Sequence, residues 1–95
     1  MPPQSEQLPA VTRGEKAGRL AASEMIKTTS PETGGLQGVI RRLEAVEIIL
    51  AEGHRQAGIS ASDIRSWRVG FQAGIGIELA EHMRRMQMAA FHPAP

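Results

Sequence analysis

The side chains best suited to chemistry in this sequence are two glutamates and two histidines that fall on apolar stripes. Glu47 and His54 lie on the stripe of one long predicted helix, and Glu78 and His82 lie on the stripe of the next. Carboxylate oxygens and imidazole nitrogens are common ligands of transition-metal ions. The first question is therefore whether these four residues form a metal site.

Pairs of Glu and His on neighbouring helices resemble the di-iron sites of ferritin-like bundles. The register of the helices argues against such a site within one subunit. In a hairpin that turns near Ile59, Glu47 and Glu78 are about 10 Å apart along the helix axis, too far to share one ion. The resemblance also implies a Glu-x-x-His spacing, whereas Glu78 and His82 are four residues apart. We predict a structural i,i+4 pair at the edge of the core, with no metal and no cofactor, and keep a dimeric metal-binding bundle as an alternative.

A nucleophile with a general base cannot be assembled from the remaining residues. The sequence has no Cys, which excludes thiolate catalysis, disulfides and Cys-based metal centres. The serines cluster at predicted helix starts, where capping accounts for them. The glycines fall inside predicted helices and not in a phosphate-binding loop after a strand. We therefore expect a protein that is not an enzyme.

Composition limits the size of the core and the class of partner. A chain of 95 residues forms one small domain, which buries a modest fraction of its surface. Only 3% of the residues are aromatic, so Leu, Ile and Met must build most of the core. We expect self-association, or docking onto a larger protein, to add to that core. The net charge of +1 does not favour nucleic acid or membrane binding through bulk electrostatics.

Both ends of the chain are predicted to be flexible, with a helical domain over residues 13–90. Residues 1–12 carry three prolines and no periodic apolar positions, and residues 91–95 read Phe-His-Pro-Ala-Pro. The N-terminus lacks the basic and apolar regions of a secretory signal. The longest uncharged stretch of the domain, 69–77, is far shorter than the roughly 20 residues that span a bilayer. We expect a cytoplasmic protein with no membrane partner.

Helical periodicity dominates the domain and predicts an all-α fold. A short first helix is expected over residues 13–27, where Gly14 and Gly18 weaken a thin apolar stripe. A long second helix follows and ends at Gly58, which suits a C-terminal cap, and Ser60 or Ser62 begins the third. The stripe of the second helix consists of Leu36, Val39, Ile40, Leu43, Val46 and Leu50. The predicted architecture is a long antiparallel helical hairpin with a short N-terminal helix and flexible ends.

The segment 69–77 fits two periods. Val69, Phe71, Ala73, Ile75 and Ile77 alternate with small or polar residues, which is typical of a strand. The same segment also continues a helical stripe, and three glycines in a strand would leave one face with nothing to pack. We favour the helix and keep the strand as the alternative.

Small residues at helical spacing in the third helix predict a contact surface. Gly70-x-x-x-Gly74 and Gly76-x-x-x-Ala80 let a second backbone approach closely, which offsets the low helix propensity of glycine through dispersion contacts. We predict self-association through this face, with intramolecular packing against the second helix as the alternative. The predicted interface consists of Trp67, Gly70, Phe71, Ala73, Gly74, Gly76, Ile77 and Ala80.

Residues 51–70 resemble the helix-turn-helix of phage-repressor and transposase-type DNA-binding proteins. Gly58-Ile59-Ser60 would form the turn, and Ile64 and Trp67 would be the buried positions of the recognition helix. The segment departs from the pattern at His54, where the first motif helix usually carries a small residue. The resemblance implies a DNA-binding regulator as the alternative function. The residues that would then face DNA are Ser60, Ser62, Arg65, Ser66 and Arg68.

Overall fold

The computed structural model describes residues 8–29 and 34–91, and the regular structure within these ranges is entirely α-helical. Helix α1 spans Ala10–Lys27, α2 spans Gly35–Gln56 and α3 spans Ala61–Phe91. The predicted all-α class is confirmed. The segment 69–77 lies inside α3, so its helical interpretation is correct.

Helix α1 begins earlier than its periodicity predicted. It starts at Ala10, directly after Pro9, whose carbonyl accepts a hydrogen bond of 3.0 Å from the Arg13 N–H. Residues 10–12 of the predicted arm are therefore helical. Phe91, predicted as the first residue of the flexible tail, is the last residue of α3. Residues 8 and 9 have no regular structure, and the other residues of the predicted ends, 1–7 and 92–95, lie outside the described ranges.

The turn between α2 and α3 is built from the residues that the sequence suggested. Gly58 has a φ of 86°, in the left-handed region that favours glycine. Its N–H donates to the Arg55 carbonyl at 3.1 Å, and the Ile59 N–H donates to the His54 carbonyl at 3.0 Å, which together form a Schellman motif. The Ser60 hydroxyl then accepts the Asp63 N–H at 3.1 Å and caps α3. Both terminus predictions are confirmed.

The main packing partner of α3 is α1, whereas the sequence predicted α2. Helix α3 contacts α1 far more extensively than it contacts α2. Gly14 lies against Trp67 and Phe71, and Gly74 lies further along against Glu15 and the next turn of α1, so the two helices run parallel. Helix α2 runs antiparallel to α3 and touches it mainly through side chains. The chain is thus a three-helix arrangement in which the expected α2–α3 hairpin is not the dominant contact.

The core is small and spread along α3. Ala22, Val39 and Leu43 form a buried cluster where all three helices meet, with Ile75 and Leu79 of α3 packed against it. A second buried group, described below, lies nearer the start of α3. The radius of gyration is 16.1 Å, against about 12 Å for a compact domain of this length. An elongated molecule with a small core leaves much of its apolar surface uncovered.

Candidate interaction surface of the third helix

The eight residues of the predicted interface divide into two groups that lie on different sides of α3. Four are buried inside the molecule: Trp67, Gly70, Phe71 and Gly74. The other four are exposed: Ala73, Gly76, Ile77 and Ala80. One group contributes to the fold of a single chain, and the other faces solvent.

The buried glycines of α3, Gly70 and Gly74, cross closely over two glycines of α1, Gly14 and Gly18. A Cβ placed on Gly14 would collide with the Trp67 carbonyl, and one on Gly18 would collide with the Phe71 carbonyl. From the other helix, a Cβ on Gly70 would meet the backbone of Val11 and Glu15. All four glycines are buried, so the two backbones touch where side chains normally separate them. Gly70 and Gly74 therefore have an intramolecular partner, α1, which is neither of the partners considered from the sequence.

In the sequence, the glycines of α1 indicate only a weakened helix with a thin apolar stripe. Gly14 and Gly18 are four residues apart, as are Gly70 and Gly74. Two small-xxx-small patterns of equal spacing in one chain are complementary, because each supplies the gap that the other backbone occupies. That match is the signal that could have identified the α1–α3 crossing.

An aromatic cluster flanks this crossing. Trp67 stacks on Phe71 with ring centroids 4.9 Å apart and an angle of 21° between their planes. His54, from the last turn of α2, meets Trp67 edge-on at 4.7 Å and 87°. Phe71 is fully buried and Trp67 is 6% exposed. These rings join α2 to α3 beside the crossing of α3 with α1, and His54 acts there as an aromatic contact.

The exposed group belongs to a third side of α3, which we call the open sector: Val69, Ala73, Gly76, Ile77 and Ala80. At about 100° per residue, the positions facing α1, those facing α2 and those of the open sector each occupy roughly a third of the helix circumference. A Cβ on Gly76 would meet nothing within 4 Å. Val69 is 62% exposed and Ile77 is 39% exposed. Within the described ranges, no helix of the chain covers this sector.

On the side facing α2, a buried carboxylate fixes the register of the two helices. Glu47 is 5% exposed. Its carboxylate accepts hydrogen bonds from Arg68 Nε at 2.6 Å and from Gln72 Nε2 at 3.0 and 3.3 Å. The charge is thus compensated by an ion pair and an amide. Glu47 is a structural residue on the apolar stripe of α2.

The other candidate metal ligands, His54, Glu78 and His82, are not brought together with Glu47 in one site. Glu78 accepts a hydrogen bond from Arg19 Nε of α1 at 3.0 Å, and it makes this pair across helices in place of the predicted pair with His82. Glu47 accepts hydrogen bonds from Arg68 and Gln72, whereas His54 packs against Trp67. Within residues 8–29 and 34–91, no group of three or more His, Asp or Glu side chains is placed to hold a metal ion.

The residues of the helix-turn-helix resemblance lie at the start of α3. Ser60 is engaged in capping, and Arg68 is paired with Glu47. Ser62, Arg65 and Ser66 are exposed on successive turns. Helix α2 runs unbroken over its 22 residues up to the turn. The structure therefore leaves three of the five predicted DNA-facing residues available to a ligand.

Exposed glutamates elsewhere are paired within their own helices. Arg84 donates to Glu81 at 2.6 Å, and this hydrogen bond lowers the pKa of the Glu81 carboxyl. The hydrogen bonds from Arg55 lower the pKa of Glu52 in the same way, and the Glu52 carboxylate raises the pKa of Arg55. The four side chains are 42% to 68% exposed, so the pairs are screened by solvent and contribute little.

Comparisons with known proteins identify no relative. No protein-family model, no curated protein sequence and no solved structure matches this chain. Among the helices described, none combines the length and the apolar character needed to cross a membrane. A functional interpretation therefore rests on the surfaces of the chain itself.

Proposed function

We propose that this protein is a small, non-catalytic assembly module that binds a second copy of itself through the open sector of α3. The observation that carries the proposal is Gly76. A glycine inside a helix costs up to about 1 kcal/mol relative to alanine. At Gly70 and Gly74 the close approach of α1 offsets this cost, but no residue of the described ranges lies within 4 Å of a Cβ at Gly76. A second helix packed on this sector would approach Gly76 closely and would offset its cost in the same way.

The neighbours of Gly76 support a helix as the partner. Ala73 and Ala80 lie on either side of it along the open sector and are also small, so a second backbone can approach over about two turns. Val69 and Ile77 add exposed apolar surface at the same sector. Helix α3 then has three neighbours at roughly equal angles, two from its own chain and one from the other copy.

The small core supports self-association as the reason for that surface. In the part of the chain that the structure describes, the largest fully buried side chains are Phe71, Leu43 and Val39. Many large apolar residues remain at least a third exposed, among them Ile48 and Ile49 of α2 at 61% and 68%. Burial of such surface is the main favourable term in association. A second copy of the chain exposes the same apolar surface, so self-association would bury apolar surface on both copies.

The proposal is tested with Gly76→Leu and the matched control Gly53→Leu. Both glycines lie in helices with nothing within 4 Å of an added Cβ, so both variants are expected to keep the fold. We expect light scattering to show an oligomer for the natural sequence and for Gly53→Leu, and a lower mass for Gly76→Leu. A natural protein that stays monomeric across a concentration series would refute self-association. An unchanged mass in Gly76→Leu would refute the open sector as its site.

A DNA-binding role is the second candidate, and the exposure of Ser62, Arg65 and Ser66 together at the start of α3 favours it. Hydroxyl and guanidinium groups on one helix face suit contacts to phosphates and base edges. The test is binding of duplex DNA at low salt by the natural protein and by Arg65→Ala. Salt-sensitive binding that Arg65→Ala abolishes would support this role, and no binding at low salt would exclude it.

A further inference from the structure

The core stripe of α3 continues beyond the residues that the other helices cover. Leu79 is the last α3 residue packed against the buried cluster of Val39 and Leu43. Helix α3 runs on for twelve residues to Phe91, about 18 Å further. Glu81 and His82 are still half-buried, and residues 83–89 are exposed. We call residues 80–91 the C-terminal extension. Met86 follows Leu79 by two helical turns, so it lies on the same side of α3, and its side chain is 57% exposed.

An open groove lies between α2 and α3 beside the same stripe. It has a volume of about 420 Å³, and its apolar walls are formed by Ile40 and Leu43 of α2 and Ile75 and Leu79 of α3. Ile40 remains 37% exposed in it. The groove exists because α2 meets α3 mainly through side chains and not by close backbone contact. The groove is also lined by Glu44, Glu47 and Gln72, so its apolar walls lie beside polar side chains.

The charges of the groove and of the extension are opposite. Glu44 and Glu47 line the groove, and Glu44 makes no ion pair with any residue of the described ranges. The extension carries Arg85, about 100° from Met86 around the helix, and its side chain is 60% exposed in its pair with Glu81. Exposed pairs within one helix are weak. Arg85 can therefore turn to an acidic surface on another molecule.

We propose that the groove binds the C-terminal extension of α3 from a second copy of this chain. An apolar helix face laid into an apolar groove is a recurrent mode of recognition, and methionine adapts well to such a site. Met86 of each copy contacts Ile40 and Leu79 of the other, and Arg85 beside it faces Glu44. The contact is reciprocal, so it closes as a two-fold dimer in which the two α3 helices run antiparallel.

This contact uses a side of α3 different from the open sector, so it is a second self-association surface. It shares with the proposed function only the premise that the chain binds a second copy. The two surfaces can be tested independently because Met86 and Gly76 lie in separate contacts.

The test uses two variants from opposite sides of the contact, Met86→Glu and Ile40→Glu, each with a matched control. Met88 is 55% exposed and points about 160° away from Met86 around the helix, so Met88→Glu is the control for the extension. Ile49 is 68% exposed on the far side of α2, so Ile49→Glu is the control for the groove. We expect each test variant to weaken dimerisation by more than about tenfold, because it buries a carboxylate in an apolar site. Both controls should match the natural protein.

A mixture of the two test variants provides an internal check. In the mixed dimer, the intact extension of the Ile40→Glu chain meets the intact groove of the Met86→Glu chain, so one of the two contacts is restored. We expect the mixture to dimerise more strongly than either variant alone, as measured by light scattering, with circular dichroism to confirm equal helicity.

The outcomes separate this inference from the open-sector proposal. An oligomer that persists in Met86→Glu and Ile40→Glu but dissociates in Gly76→Leu overturns the groove contact and supports the open sector. The opposite pattern supports the groove contact and overturns the open sector. Sensitivity to both sets supports two surfaces, and a natural protein that is monomeric at every concentration overturns both.

Discussion

Replacing Gly18 with alanine tests whether the crossing of α1 and α3 holds the fold together. Gly18 is buried, and the added Cβ would collide with the carbonyl oxygen of Phe71 and come within 3.0 Å of its Cα. These are backbone atoms, which cannot rotate away as a flexible side chain could. The two helices must therefore move apart, and the neighbouring contacts of Gly14 with Trp67 must loosen with them.

The expected magnitude follows from two opposing terms. Alanine in place of glycine favours the helix by up to about 1 kcal/mol. Overpacking a close contact costs about 1–3 kcal/mol, and a clash with backbone belongs at the upper end of that range. We therefore expect a net loss of about 1–2 kcal/mol in the free energy of unfolding. For a domain of 60–100 residues this lowers Tm by roughly 5–15 °C.

The control is Gly53→Ala, because nothing lies within 4 Å of a Cβ at that position in α2. The same chemical change there has only the helix-propensity term, so we expect no loss and a gain of up to about 1 kcal/mol. Thermal and urea unfolding, followed by circular dichroism and by the fluorescence of Trp67, measure both variants. If Gly18→Ala is as stable as the natural protein, or if Gly53→Ala is destabilised equally, the crossing does not have the role assigned to it.

Two further predictions concern the charged residues. Arg68→Ala leaves the buried carboxylate of Glu47 with Gln72 as its hydrogen-bond donor, so we expect the free energy of unfolding to fall by about 1–3 kcal/mol. We expect a smaller loss in Glu47→Leu, because that variant removes the buried charge itself. Urea unfolding of the two variants checks this order. The pKa of Glu81 is lowered by the hydrogen bond from Arg84, so the stabilisation is present above the usual carboxyl range and is lost as the pH falls through the lowered pKa. A nuclear magnetic resonance titration should place the Glu81 carboxyl below its ordinary value, and Arg84→Ala should return it.

Local signals predicted the helix termini well because they act over a few residues. A Schellman turn requires one residue of positive φ, and Gly58 was the residue at the end of the periodic pattern. Ser60 precedes the apolar positions of α3 at the spacing of a cap. The sequence did not predict the first three residues of α1, because the prolines of residues 1–12 are typical of a flexible arm, whereas Pro9 directly precedes the helix at its N-cap position.

Partner choice among the helices was not predictable in the same way, because it depends on contacts between distant segments. Adjacency along the chain favoured α2 as the packing partner of α3. In the structure α3 packs mainly against α1, because the glycine pairs of these two helices are complementary. Glu47 illustrates the same limit. Its position on the stripe of α2 was correct, but its partners Arg68 and Gln72 follow only from the register of the folded helices.

Substitutions at the glycines of α3 differ in whether they can test an interface between molecules. Gly74 faces the backbone of Glu15 and Arg19, so a large residue there would first separate α1 from α3 and would alter folding. A loss of oligomer in such a variant would not identify an interface. Gly76, two residues later and on another side of the helix, has no such neighbour. Its substitution leaves the chain free to fold, so Gly76 is the position at which a change of mass can be assigned to contact with another molecule.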